Sequence, residues 1–144
     1  MNILIVEDDI NVNSVLKEII QHWGYSTENA YTCKDALGKV KKKRFNLILL
    51  DIFLPDGKGH RLIPQFKELW PDIGIVTMTG YNTREIEREV REQGILYYMI
   101  KPFETKYLKE LLEHISHKYS KKSDSEIDFK VRKEVILTRK QTLQ

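Results

Sequence analysis

Four short apolar runs, each ending abruptly at polar residues, recur along the chain. They cover residues 3–6, 46–50, 73–78 and 96–100. Each has the length and composition of a buried β-strand, and residues 25–30 are polar enough to form an edge strand. Stretches with apolar residues at helical spacing lie between these runs. This alternation predicts a parallel sheet with helices on both faces.

Five stretches of helical periodicity complete a (βα)5 pattern. Gly24 suits the C-terminus of the first helix. Asn82 is expected to cap the fourth helix with help from Glu85, and only Ile86 and Val90 form that helix's apolar stripe. The apolar positions of the other helices are Val12, Val15, Leu16, Ile19, Ile20 and Trp23 in the first, Ala36, Leu37 and Val40 in the second, Leu62, Ile63, Phe66, Leu69 and Trp70 in the third, and Leu108, Leu111, Leu112 and Ile115 in the fifth.

Charged and hydroxyl side chains follow four of the predicted strands. Glu7 and Asp8 follow the first strand, Asp51 the third, Thr79 the fourth and Lys101 the fifth. The carboxyl ends of the strands in an open parallel sheet line one crevice, where such folds bind their ligands. We therefore expect these side chains to form one active site.

Glu7, Asp8 and Asp51 would place three carboxylates in one small space. Their mutual repulsion would raise some of their pKa values unless a cation relieved it. Mg²⁺ suits the site best because it takes one or two carboxylates, keeps several waters and then contacts a phosphate. With Lys101 to hold an oxyanion, Asp51 becomes a candidate nucleophile towards phosphorus. The alternative is that these acids only cap strand ends in solvent.

Composition restricts the class of protein. A chain of 144 residues suits one domain, and its net charge is +3. Charges balance over residues 1–118, so the positive excess lies in residues 119–144 and predicts no nucleic-acid-binding face on residues 1–118. Cys33 is the single cysteine, and no apolar run approaches the ~20 residues of a membrane span. We expect a cytoplasmic protein with neither membrane contact nor signal peptide.

The composition changes near the end of the chain. Residues 120–126 have the polar character of a linker. Residues 127–137 regain apolar positions, whose spacing suits a strand as well as a helix. We therefore divide the chain into a globular domain, residues 1–118, and a basic linker or tail, residues 119–144, of undetermined structure.

The motifs at the strand ends resemble those of a known family. The spacings between Asp8, Asp51, Thr79 and Lys101 are 43, 28 and 22 residues. Residues 1–118 are similar to the response-regulator receiver domain of two-component signalling. The resemblance implies a flavodoxin-like fold, with a doubly wound five-stranded parallel sheet in the order 2-1-3-4-5. The matching motifs are IVEDD at residues 5–9, LDIFLPDGKG at 50–59, TG at 79–80 and YMIKPF at 98–103.

The resemblance implies that Asp51 accepts phosphate from a sensor histidine kinase or phosphotransfer protein. Asp8 would bind Mg²⁺ directly, Glu7 would act through water, and Asp51 and the backbone carbonyl of Phe53 would complete the protein ligands. The acidic pair begins with Glu where Asp is commoner, a variant that should leave metal binding intact. The domain would be a signalling switch rather than an enzyme, catalysing only its own phosphorylation and dephosphorylation.

The resemblance also assigns the remaining site residues. Lys101 and Thr79 would hold the phosphoryl oxygens, Tyr98 would be the aromatic switch, and the Lys101–Pro102 peptide bond would be cis. Gly80 stands where alanine is more usual, which predicts a looser loop. Phosphorylation would change the surface of the fourth helix, fifth strand and fifth helix, which could bind a downstream protein or a second copy as a homodimer.

Other functions fit the residues less well. A phosphatase of the haloacid dehalogenase type needs an acid at the position of Phe53, and nucleotide-binding enzymes need a glycine-rich turn where residues 7–9 are acidic. A non-phosphorylated interaction module typically loses a site residue, and none is missing. His114 and His117 lack a third metal ligand, and the basic run 39–44 suits a solvated helix end.

The output of the domain stays open. The protein either works alone or is the receiver fragment of a longer transcriptional regulator whose output domain is not in this chain. Phe53 and Tyr81 are expected to flank the path of a water that would attack phosphorylated Asp51. Their bulk should exclude water and lengthen the phosphorylated lifetime, although ordinary packing at the cleft rim explains them equally well.

Overall fold

The computed structural model describes residues 1–123, with side chains through residue 120. Five parallel strands form one sheet in the order β2-β1-β3-β4-β5. The predicted α/β class, flavodoxin-like topology and strand order are confirmed, and the polar strand β2 lies at an edge as expected. The strands are β1 (Asn2–Val6), β2 (Ser26–Ala30), β3 (Leu47–Asp51), β4 (Gly74–Thr79) and β5 (Tyr97–Ile100).

Among residues 1–123, five α-helices follow the strands, and none is long and apolar enough to cross a membrane. After β3 the chain forms a short antiparallel hairpin of Phe53–Leu54 with Gly57–Lys58, then a 3₁₀ turn at Gly59–Leu62. The sequence analysis predicted neither element. The helices are α1 (Ile10–His22), α2 (Cys33–Lys42), α3 (Ile63–Leu69), α4 (Arg84–Arg91) and α5 (Thr105–Ser123).

The core is centred on strands β1 and β3, whose apolar side chains from residues 3–6 and 47–50 are fully buried. Helix α1 adds Leu16 and Ile20 to the buried set, but Val12 and Val15 are 39% and 53% exposed. The predicted apolar stripe of α1 was therefore too wide. A buried asparagine, Asn13, shares the inner face of this helix instead.

The N-terminus of α4 differs from the prediction. Thr83, not Asn82, caps the helix, and its hydroxyl accepts a hydrogen bond from the Ile86 amide at 3.1 Å. The side-chain Oδ1 of Asn82 accepts a hydrogen bond from the Tyr98 hydroxyl at 2.7 Å. Both residue types can cap helices. Thr83 caps the helix because the side chain of Asn82 is bound to Tyr98, a tertiary contact that the sequence does not reveal.

Helix α5 belongs to a second compact unit that begins at Phe103. Its predicted apolar positions are all buried: Leu108, Leu111, Leu112 and Ile115. The helix continues to Ser123, past the predicted domain end at residue 118 and into the stretch expected to be a linker. Residues 124–144, with their alternative strand and helix predictions, lie outside the described residues. The division at residue 118 stays a prediction.

Candidate functional site

The ends of β1 and β3 bring three carboxylates together. Val6 pairs with Leu50 in the parallel ladder, so Glu7 and Asp8 leave β1 beside Asp51 at the end of β3. Carboxylate oxygens of these three acids lie within 4.8 Å of one another. Glu7 and Asp51 are buried, whereas Asp8 is exposed. The acids therefore form the cluster that the sequence predicted.

Lys101 supplies the positive charge of this cluster. Its ammonium contacts the Glu7 carboxylate and lies 3.2 Å from Oδ2 of Asp51. Burial disfavours the charged ammonium, but the hydrogen bond to Glu7 and the charge of Asp51 outweigh it and raise the pKa of Lys101. One cation thus serves two buried carboxylates, and the third acid is left to solvent.

The charge repulsion that Lys101 does not relieve acts on Asp8. Partial burial of its carboxyl group, together with the hydrogen bond and the charge of Glu7, raises the pKa of Asp8. A hard divalent cation would relieve that repulsion, and carboxylate oxygens are the ligands that Mg²⁺ prefers. The acidic cluster therefore fits Mg²⁺ in donor type and spacing. The carbonyl of Phe53 as a further ligand stays a prediction.

Thr79 ends β4 with its side chain fully buried. Its hydroxyl donates to the Tyr81 carbonyl and accepts from the Tyr81 amide, both at 3.0 Å. The backbone amide of Lys101 donates to the Thr79 carbonyl at 2.8 Å, which fixes the two strand ends together. In this arrangement the hydroxyl of Thr79 is engaged with its own loop. To donate to a group on Asp51, the hydroxyl would have to give up its bond to the Tyr81 carbonyl.

Tyr98 connects β5 with the start and end of α4. Its hydroxyl donates to Asn82 before the helix. The guanidinium carbon of Arg91, at the end of the helix, lies 5.5 Å from the centre of its ring. The side chain is buried, and burial raises the pKa of its hydroxyl. Tyr98 therefore occupies an inward position that depends on α4 and on the loop before it. The Lys101–Pro102 peptide bond is cis, as the resemblance implied.

Two aromatic side chains stand together at the rim. Phe53 and Tyr81 meet edge to face, with ring centroids 5.7 Å apart, and both are exposed. The pair joins the loop after β3 to the loop after β4. Their predicted effect on attacking water stays a prediction.

Gly59 is a site residue to which the sequence analysis gave no role. A Cβ atom at this position would lie only 2.1 Å from the carbonyl oxygen of Asp51, so no other residue fits without a backbone shift. The Gly59 amide also donates to the Ile52 carbonyl at 2.7 Å. These contacts fold the hairpin segment back onto the end of β3. The signal in the sequence was its place in the LDIFLPDGKG motif.

Asp56 fixes the tip of the same hairpin. Its carboxylate accepts hydrogen bonds from the amides of Cys33 at 2.8 Å and Lys34 at 3.0 Å, at the N-terminus of α2. These amide donors lower the pKa of Asp56. Burial and the nearby Asp56 charge raise the pKa of the Cys33 thiol to about 11, so the thiol stays protonated. Asp56 therefore has a structural role.

His60 joins the same segment to α4. It is fully buried, and its Nε2 lies 3.1 Å from Oε1 of Glu89 on α4, although the angle falls short of a well-aligned hydrogen bond. Interaction with His60 lowers the pKa of Glu89. This contact was not predictable from the sequence, because the two residues are distant in the chain and only folding brings them together.

Three residues of the basic run 39–44, at the end of α2, make contacts within the molecule. The Lys39 ammonium contacts the Asn29 carbonyl, Lys43 forms an ion pair with Glu28 at 2.7 Å, and the Arg44 guanidinium lies over the ring of Trp70. Within residues 1–123, the acidic cluster is the only group of three side chains with metal-ligand spacing. This cluster lies at the carboxyl ends of β1 and β3.

Comparison with known proteins identifies the family. The profile of the response regulator receiver domain matches residues 3–113. The transcriptional regulatory protein ZraR of Salmonella typhimurium is 35% identical over 113 residues, which are 78% of this chain and 26% of that protein. Sporulation initiation phosphotransferase F of Bacillus subtilis is 33% identical over 102 residues, which are 71% of this chain and 82% of that protein.

Solved structures agree with the sequence comparison. A CheY-like response regulator receiver domain protein from Methanospirillum hungatei JF-1 has 31% identity and a TM-score of 0.77, over 83% of this chain and 97% of that one. The chain spans about a quarter of the length of ZraR and most of the length of phosphotransferase F. The profile match and the shared fold cover the segment that carries the acidic cluster, and the chain belongs to the response regulator receiver family.

Proposed function

We propose that Asp51 accepts a phosphoryl group from a sensor histidine kinase or a phosphotransfer protein. The observation that carries the proposal is the buried Asp51 carboxylate, placed between two further acids and the Lys101 ammonium. The three carboxylates outnumber the single lysine, so the cluster has a net negative charge that a metal cation would offset. With the metal bound, the cations would stabilise a phosphoryl group on Asp51. When bound, Mg²⁺ would neutralise charge on the transferring group.

The chain's own residues would perform the remaining steps. An oxygen of Asp51 attacks phosphorus, the bond from phosphorus to the donor breaks, and an acyl phosphate is formed. Lys101 is already close to Asp51 and would move from the Glu7 carboxylate to a phosphoryl oxygen. The Thr79 hydroxyl would leave the Tyr81 backbone and donate to another phosphoryl oxygen. Glu7 and Asp8 would hold the metal.

The same movement would transmit the signal. Turning Thr79 towards the phosphoryl group releases the loop that also carries Asn82, the hydrogen-bond partner of Tyr98. Tyr98 would then turn into the space that Thr79 leaves, and α4, β5 and α5 would present a changed surface to a downstream protein or a second copy. A ligand that biases one of two arrangements is sufficient for such a switch.

The proposal is tested by treating the full chain with acetyl phosphate and Mg²⁺ and measuring its intact mass. We expect one added phosphate on the wild type and none on Asp51→Asn. Asp56→Asn is a matched control, because it alters an aspartate of the same segment that only caps α2. Equal labelling of Asp51→Asn and the wild type would contradict the assignment.

A second candidate concerns the protein as a whole. The chain covers about a quarter of the ZraR sequence, which favours a receiver that controls a separate output domain in a transcriptional regulator. A single-domain phosphorelay protein is the alternative, as the coverage of phosphotransferase F suggests. A cytoplasmic location and the lack of direct nucleic-acid binding by residues 1–118 stay predictions.

A further inference from the structure

We propose that Asn13 is a positioning residue for the acidic pair, acting on the peptide unit that joins Glu7 to Asp8. Asn13 lies in α1 and is fully buried. Its side-chain nitrogen donates to the Glu7 carbonyl at 2.9 Å and to the Ala30 carbonyl at 3.1 Å. One amide group thus holds the end of β1 against the end of β2.

The Glu7 carbonyl belongs to the peptide plane between the two acids. A hydrogen bond to that oxygen fixes the plane, and the plane sets the directions in which the side chains of Glu7 and Asp8 leave the backbone. The Glu7 amide is held as well, since it donates to the Ala30 carbonyl at 3.0 Å. Mg²⁺ demands near-ideal octahedral geometry, so the directions of these carboxylates matter for its binding.

Asn29 fixes the orientation of the Asn13 amide. The Asn29 side-chain nitrogen donates to Oδ1 of Asn13, so that oxygen points away from the carbonyls of Glu7 and Ala30. A flipped amide would place its oxygen against both carbonyls and two donors against each other. The neighbouring buried positions of α1 are Leu16 and Ile20. An apolar side chain would fill the site of Asn13 but could not direct the peptide plane.

The inference rests on the proposed Mg²⁺ binding, and titration separates the two. Adding MgCl₂ to the full 144-residue chain and following ¹H–¹⁵N resonances gives an affinity for each variant. We expect Asn13→Leu to bind Mg²⁺ about tenfold more weakly, as is typical when a residue supporting a metal ligand is lost. Leu16→Ala, a cavity variant of the same helix, should keep wild-type affinity while losing stability. Unchanged affinity in Asn13→Leu would overturn the inference and leave the proposed function standing.

The wild type offers a second measurement that needs no substitution. The side-chain amide resonances of Asn13 should shift on adding Mg²⁺, with the same midpoint as the backbone amides of Glu7 and Asp8. Asn13 resonances that stay still while those of the acidic pair shift would overturn the inference even if Asn13→Leu does not fold. A wild type that shows no Mg²⁺-dependent shift would overturn both proposals.

Discussion

Gly59 shows how closely the backbone is packed around Asp51. The residue lies at the start of the 3₁₀ turn, where its missing side chain allows the chain to cross the carbonyl of Asp51. Lys101 and the acidic pair act on the Asp51 carboxylate, whereas Gly59 acts on its peptide. The direction of the carboxylate therefore depends on a contact that no charged residue makes.

Gly59→Ala should disturb both stability and phosphorylation. The new Cβ would overlap the Asp51 carbonyl, and forcing atoms into a packed core costs about 1–3 kcal/mol in the free energy of unfolding. Urea unfolding measures that loss, and acetyl phosphate labelling should slow as Asp51 shifts. Gly38→Ala is the control, since nothing lies within 4 Å of its Cβ position in α2. It should stabilise the protein by up to about 1 kcal/mol. A Gly59→Ala protein as stable as wild type would contradict this role.

Helix α4 is held by a small apolar cluster and a few polar contacts. Ile86 and Val90 pack with Ile52 and Tyr98, and Ile52 directly follows Asp51. The contact of Glu89 with His60 adds a second connection to the same segment of the chain. Because few apolar groups are buried here, α4 should rearrange at lower cost than the helices over the main core. The polar contact between Glu89 and His60 then matters more than it would in a larger interface.

Glu89→Gln should loosen α4 before any phosphoryl group is present. Hydrogen exchange of the amides in α4 should rise, because the negative partner of His60 is lost. Glu85→Gln removes an exposed charge from the first turn of the same helix and should raise exchange less than Glu89→Gln does. Since interaction with His60 lowers the pKa of Glu89, the contact should weaken as the pH falls through that lowered value and Glu89 becomes protonated. Equal exchange in the two variants would show that the contact between Glu89 and His60 does not hold α4 in place.

The architecture of the sheet was predictable because four of its five strands are short, apolar and bounded by polar residues. Strands β1 and β3 are buried on both faces, which requires continuous apolar runs in the sequence. These runs agree with the central positions that the family resemblance implied for the two strands. The hairpin at Phe53–Leu54 with Gly57–Lys58 was missed, since two-residue strands have no periodicity to detect. The exposed valines of α1 were misassigned, because helical spacing alone does not show which face is buried.

The site was predictable to the extent that its residues follow strand ends. Parallel topology forces Glu7, Asp51 and Lys101 to one edge, so charge and position sufficed. The sequence analysis gave no role to Asn13 or His60, because each acts through a partner that only folding brings near. For Asn13, the one available sign was a polar residue at helical spacing from the apolar positions Leu16 and Ile20. Such a residue must find hydrogen bonds when buried, and those bonds can carry function.

A phosphoryl mimic should change the molecule unevenly. We expect beryllofluoride with Mg²⁺ to alter hydrogen exchange most between Gly80 and Phe103. That stretch contains the loop held by Thr79, all of α4 and the residue Tyr98, whose hydrogen bond to Asn82 depends on that loop. The buried strands β1 and β3 should change least, since opening them requires disrupting the core.

Asp51→Asn serves as the control for that experiment, because it removes the carboxylate to which we expect the mimic to bind while keeping the shape of the side chain. The variant should show the same exchange with and without beryllofluoride. A response spread evenly over residues 1–123 of the wild type would contradict a switch confined to α4 and its flanking segments. A response that persists in Asp51→Asn would place the mimic elsewhere. A confined response that depends on Asp51 would connect the acidic cluster to the surface of α4 through Thr79 and Tyr98.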